Sequence, residues 1–368
     1  MTDPLAAPPR WRHHLKRASS AGRDVIVDAT RWKRVELNAV HVVTAGLSLG
    51  VPIVLGLVLG DIGAGMVAAL GALLVSGSGH VGGLKYRSLE LLNTSLAGAC
   101  GAAAGMLSTV FQPWGGILIV TLAAIATIFG GLRPSAAKAS TQAIVFMIIG
   151  ASLASSAVPV ETLLWFFAAG ALGGSLLTLL VFGVEYHLLG KTAAEVAPAR
   201  RSWHKDLEAW RRRMATLSGW QYTLRLASCM IAAQVVAILV RGPHSQWILL
   251  TVVLVVQRDH RAGLARTVQR GLGTALGVLV GGLLLGAALP IWATVGIICV
   301  VGAARQYLKA ANYTAYALVM TPLVAVLSGL GHQLSPSLLG ERLVDTTIGC
   351  LISLVIGYAA WRGTRQAA

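Results

Sequence analysis

The chain reads as an all-α polytopic membrane protein, with about twelve transmembrane helices arranged as two parallel six-helix repeats. Three observations predict this. Hydrophobic residues make up 55% of the 368 and charged residues 12%, with a mean hydropathy of +0.71, beyond the range of a soluble domain of this size. Some dozen apolar stretches run along the chain, most of them near the roughly 20 residues that a helix needs to cross the hydrocarbon. Of the 30 Lys and Arg, 27 fall on alternate connections between those stretches.

Residues 1–38 form a basic amphipathic segment, with Trp11, Leu15, Val25, Ile26, Trp32 and Val35 set among Lys and Arg. The first repeat, 39–185, is predicted to hold helices over 39–59, 62–79, 88–108, 115–132, 139–157 and 162–185. Gly60-Asp61, the stretch 79–87, Gln112-Pro113, Arg133-Pro134 and Pro159 mark the breaks. In the linker 186–219, Trp203, Leu207, Trp210, Met214 and Leu217 recur at helical spacing, with Arg201, Lys205, Arg211, Arg212 and Arg213 on the other faces. That pattern predicts an amphipathic helix lying at the headgroups. The second repeat, 220–362, is predicted to hold helices over 221–240, 244–257, 267–289, 291–304, 312–330 and 338–361. Of these, 244–257 and 291–304 are short enough to be tilted partners of their neighbours. Residues 363–368 are a short cytoplasmic tail.

The basic connections place both termini in the cytoplasm. The net charge of +16 is then a topology signal and an attraction to anionic lipid headgroups, not a nucleic-acid footprint. The first apolar run is span-length and lacks a small-residue cleavage site, so it reads as the first helix and not as a signal peptide. Cys100, Cys229, Cys299 and Cys350 all fall in predicted spans as packing residues; no disulfide, metal site or cofactor is expected.

The halves show a weak internal duplication. His80-Val-Gly-Gly-Leu84 aligns with His260-Arg-Ala-Gly-Leu264, and the same offset of 180 pairs Leu92 with Leu272, Thr94 with Thr274, Leu96 with Leu276 and Gly101 with Gly281. Six spans per repeat give equal orientation, hence a pseudo-twofold axis along the membrane normal and a substrate site between the halves near mid-membrane.

Gln246-Trp247-Ile-Leu-Leu-Thr251, Gln257-Arg258 and Arg270-Gly-Leu-Gly273-Thr274-Ala-Leu-Gly277 resemble the W-xxx-T helix and RxxGTxxG signature of the fusaric-acid-resistance and aromatic-acid-exporter superfamily. That superfamily also takes in p-hydroxybenzoate efflux pumps and, more distantly, plant malate channels. The resemblance covers about 220–362, and the first half follows it mainly in topology. It implies an inner-membrane exporter of organic acids. At the place equivalent under the 180 offset the chain has Glu90-Leu-Leu-Asn93-Thr94, a carboxylate for Arg270 and Asn for Gly273. The soluble domains that large members insert after each block are reduced here to the linker and a few terminal residues.

Among individual residues, Gly273, Thr274, Gly277 and Gly281, with Gly101 in the first half, form small-residue ridges suited to close helix packing. Arg270, about one turn inside a span, either snorkels to the headgroups, pairs with Glu90 across the halves or, like Arg225, binds substrate. Arg225, near Gln221, Tyr222 and Gln234, either snorkels or presents its guanidinium fork to an organic anion. Asp345, a turn into the last span, either couples proton movement or forms a structural pair with Arg342. Trp247, Thr251 and Gln257 on one helix, and Asn312, Tyr313, Tyr316 and Pro322 on another, offer stacking and polar contacts to an aromatic acid. His80 and His260 read as headgroup contacts, Asp61 and Glu161 as outer-loop residues.

No nucleophile elbow, metal constellation or Walker motif occurs, which argues against an enzyme and against ATP as the energy source. The reading is a proton-motive-force-driven exporter of aromatic or other small organic acids in a bacterial inner membrane. The two halves rock about the pseudo-twofold, with Pro243, Pro290 and Pro322 as bending points. An organic-anion channel and a non-transporting membrane scaffold are the alternatives, and a homodimer or a periplasmic adaptor stays open.

Overall fold

The computed structural model describes residues 31–35, 39–75, 84–111, 113–154, 158–188, 202–240, 242, 244–287, 289–328 and 336–361. His80, Pro243 and the expected N-terminal positions before residue 31 lie outside them. Helices make up most of the described residues, and no strand occurs among them. The first block runs α1 (Ala39–Val58), α2 (Ile62–Val75), α3 (Leu84–Ser108), α4 (Gly115–Phe129), α5 (Pro134–Leu153) and α6 (Val160–Leu188). The linker helix is α7 (Trp203–Met214). The second block runs α8 (Leu217–Val240), α9 (Gln246–Val255), α10 (His260–Gly286), α11 (Ile291–Ala311), α12 (Tyr313–Ser328) and α13 (Pro336–Ile352), which continues as a π-helical turn over Ser353–Ala359.

Eight of these, α1, α3, α5, α6, α8, α10, α11 and α13, are long and apolar enough to cross a membrane, so the chain is a multi-pass membrane protein. The helices α2, α4, α9 and α12 are shorter and equally apolar. At 1.5 Å per residue, the 10 residues of α9 reach only about 15 Å, half of a hydrocarbon core.

Boundaries differ from the sequence expectation where polar side chains find partners inside the protein. The helix expected to stop at residue 304 continues through Arg305 and Lys309 to Ala311. Arg305 tolerates that place because its guanidinium donates to Leu73 O of α2 at 3.3 Å. The helix expected from residue 267 begins at His260, where the Asp259 carboxylate accepts from Ala262 N at 2.8 Å and caps it. Arg270 therefore lies nearly three turns inside α10 rather than one, and Asp345 and Arg342 are likewise well inside α13. Asp61, expected in a loop, caps α2 through Ala64 N at 2.8 Å. Beside it Gly60 takes φ +82°, a left-handed value that suits glycine, and closes the α1–α2 hairpin.

Within the first block α3 packs on α5, and α2 on α1 and α6; within the second, α10 packs on α12, and α9 on α8 and α13. Between the blocks α1 meets α11, α4 meets α8, α5 meets α9 and α2 meets α12. Both apolar cores are consequently shared. One gathers Leu49, Leu70, Phe146 and Phe167 of the first block with Ile298, Leu323 and Leu327 of the second. The other gathers Ile119, Ile144 and Ile148 with Leu226, Met230, Trp247 and Val252.

The linker helix docks against the end of α4. Trp210 Nε1 donates to Ile128 O at 3.0 Å and its ring stacks on Phe129, while Asp206 pairs with Arg133 at 2.6 Å. The helix ends at Met214, so Leu217, expected to continue its apolar stripe, opens α8 instead and is exposed.

Candidate functional site

A polar layer lies buried in the second block, between α9, α10 and α13. Gly349 of α13 seats against Thr251 of α9, where an added Cβ would stand 2.7 Å from the threonine Cβ. On the other side Cys350 Sγ donates to Thr267 O at 3.6 Å, and Gly281 lies against Leu339. Those two contacts fix α10 antiparallel to α13 and bring Arg270 and Thr274 against the stretch holding Arg342, Asp345 and Thr346. Arg342 is 1% exposed, Arg270 3% and Asp345 4%.

Arg342 lays its guanidinium over the Trp247 ring, 4.2 Å from the centroid, and His244 stacks on the same indole at 4.6 Å. Its charge is felt by Arg270, which repels it, and by Asp345, which attracts it. Among the described residues neither guanidinium has a carboxylate within 4 Å. The structural ion pair expected between Asp345 and Arg342 is thus not formed: the guanidinium is turned onto Trp247. Arg270 Nε, Arg342 Nε and Nη1, and the hydroxyls of Thr251, Thr274 and Thr346 are all buried without a hydrogen-bond partner. Orphan donors on buried cations are costly, and they define a place where an anion would be held by charge-assisted hydrogen bonds. Glu341 is half-buried, its Oε2 also buried without a partner, and lies within electrostatic reach of His244 and Asp345.

Other expected site residues are placed elsewhere. Glu90 does not pair with Arg270; its carboxylate takes Lys138 Nζ of α5 at 2.8 Å, because α3 and α5 are direct packing partners within the first block. Arg225 donates through Nη2 to Gln257 O, and to Arg258 O at 3.3 Å, tying down the α9–α10 turn, while its Nε is buried without a partner. Gln257 lies beyond α9, not on the same helix as Trp247 and Thr251, and its amide N donates to Tyr358 OH at 3.0 Å. His260 meets the Tyr358 ring edge-on at 4.8 Å. Asn312 caps α12, its Oδ1 accepting from Ala315 N at 3.0 Å. Tyr313 and Tyr316 stack on each other at 5.4 Å, with Arg266 3.8 Å over Tyr313. The ridge glycines do pack closely: a Cβ on Gly277 would stand 2.8 Å from Thr321 Cβ of α12, and Gly101 rests on the Ala143 backbone of α5.

Sequence reasoning missed Thr346, Arg266 and Arg305 as site residues. A signal existed for Arg266, which precedes Arg270 by four residues with Thr267 and Thr274 on the same stripe. Arg305 carried none, since a charge ending an apolar run resembles a loop.

Comparison with known proteins bears on this same block. Residues 226–356, which hold all three helices of the polar layer, match the model of a family described as fusaric acid resistance protein-like. The uncharacterized protein YhfK of Escherichia coli (strain K12) is 31% identical over 144 residues, 37% of this chain and 19% of that protein. The chain thus matches only about a fifth of that relative's length. No solved structure matches.

Proposed function

We propose, from a second block that matches the fusaric acid resistance protein-like family, that this protein is a secondary exporter of small organic anions, aromatic acids among them. The observation that carries the reading is the pair of buried guanidiniums, Arg270 and Arg342, with unpartnered donors, three unpartnered threonine hydroxyls and one indole face around them. A carboxylate suits the guanidinium forks and hydroxyls, and a planar ring suits Trp247. Asp345, the interior carboxylate of the layer, is the coupling group. Coupling to export requires that the Asp345 proton and the substrate anion occupy the layer alternately, the proton moving inward and the anion outward.

In this reading the twelve apolar helices sit in a bacterial inner membrane with both termini cytoplasmic, the short ones buried against long neighbours. Exposed Trp114, Trp165 and Trp292, at helix ends remote from the basic connections, suit the opposite interface. The blocks are parallel repeats, an assignment supported by the recurring packing pairs.

Flux of labelled 4-hydroxybenzoate in proteoliposomes tests the site. Arg342→Gln should cut flux by at least about tenfold, the loss of one charge-assisted contact, while Arg225→Gln should act through stability alone. Equal flux in wild type and Arg342→Gln would sink the assignment.

A further inference from the structure

The basic end of the second block holds a second cluster that the central layer does not use. Arg266 on α10 lies over Tyr313, Tyr313 stacks on Tyr316 with 28° between the rings, and Tyr316 is an electrostatic neighbour of Arg305. Lys309, one turn beyond Arg305 on α11, is within electrostatic reach of Arg305, Arg266 and Lys138. Four cations therefore converge, and Glu90, the carboxylate among them, is already engaged by Lys138. Arg305 is 7% exposed, and its Nη2 bond to Leu73 O leaves Nε buried without a partner. Arg266 Nε, Gln306 Nε2 and Tyr313 OH are in the same condition. Donors outnumber acceptors throughout, beside two stacked phenol rings.

Arg266 also stands one helical turn from Arg270 on the same stripe of α10, and Arg270 is the electrostatic neighbour of Arg342. The guanidiniums form a ladder from the basic face into the central layer.

We propose that Arg266, Arg305 and the Tyr313–Tyr316 stack form a second anion site, which takes a planar carboxylate from the basic face and passes it along α10 to Arg270 and Arg342. This rests on the exporter reading for its direction, but the site itself does not. The guanidiniums hold the carboxylate, Tyr313 OH supplies a further donor, and the stacked rings receive the planar part. A ladder of weak sites lets an anion advance without a deep trap at any rung, as conduction past adjacent sites requires.

The test is equilibrium binding of labelled 4-hydroxybenzoate to the purified full chain in zwitterionic nanodiscs, paired with flux. Wild type should bind two anions per chain. Arg266→Gln should bind one and show KM for flux raised about tenfold, the value of one charge-assisted hydrogen bond, with kcat little changed. Tyr313→Leu should do the same and Tyr313→Phe less, whereas Arg342→Gln should also bind one but lose kcat. Arg266 is only half-buried, so its variant decides the matter if Arg305→Gln fails to fold. Unchanged stoichiometry and KM in Arg266→Gln would overturn the proposal while leaving the exporter intact. So would displacement of the probe in wild type but not in Arg266→Gln by phosphatidylglycerol alone, which would make the cluster a lipid headgroup site. Binding that depends on Arg266 in a protein that carries no flux would keep the site and sink the exporter.

Discussion

Tyr358 closes the turn between α9 and α10 with a single hydroxyl. It donates to Val255 O at 2.7 Å and accepts from Gln257 N at 3.0 Å, under the Arg225 guanidinium at 5.4 Å from its ring. Tyr358→Phe keeps the ring and orphans a buried amide and carbonyl, so unfolding in detergent should come about 1–3 kcal/mol sooner. Transport per folded molecule should stay near wild type. At this scale the sequence was informative about which residues matter and poor about their partners. Trp247, Thr251, Arg270, Arg342 and Asp345 were all picked out as polar or aromatic groups in apolar surroundings, and they converge. The 180 offset matches Glu90 to Arg270, yet Glu90 pairs with Lys138, because α3 packs directly on α5 within its own block. Arg225 looked like a ligand because backbone carbonyls freed at a turn leave no trace in composition.

Helix positions were legible from hydropathy to within a few residues, since lipid demands the same apolar length whatever the partner. Ends were not, because they depend on caps such as Asp259 and on buried acceptors such as Leu73 O. Two kinds of glycine lie on α10. Gly277 is pressed on Leu318 and Thr321 of α12, whereas Gly282 has nothing within 4 Å of an added Cβ. Gly277→Leu should therefore lower thermal stability by at least the 1–3 kcal/mol typical of an overpacked contact, about the cost of forcing a packed pair apart. Gly282→Leu, facing outward, should leave melting and expression unchanged. Equal melting of the two variants would refute the α10–α12 approach.

In the whole molecule the two apolar cores cross the block boundary, so any rocking of one block on the other must shear α1 against α11 and α4 against α8. A cysteine at residue 50 would place its Cβ 3.7 Å from that of native Cys299 across the α1–α11 contact, within disulfide geometry. Oxidised Gly50→Cys should lose transport and regain it on reduction if that contact moves; undiminished flux in the cross-linked protein would confine the motion to the second block. The central claim concerns the layer in that block, and gradient-driven accumulation of 4-hydroxybenzoate in proteoliposomes, wild type against Asp345→Asn, tests it most directly. The account expects a pH gradient to drive accumulation in wild type. In the variant that accumulation is lost, while gradient-independent exchange and folding persist. Accumulation by Asp345→Asn equal to wild type, or flux in wild type that ignores the pH gradient, would contradict it.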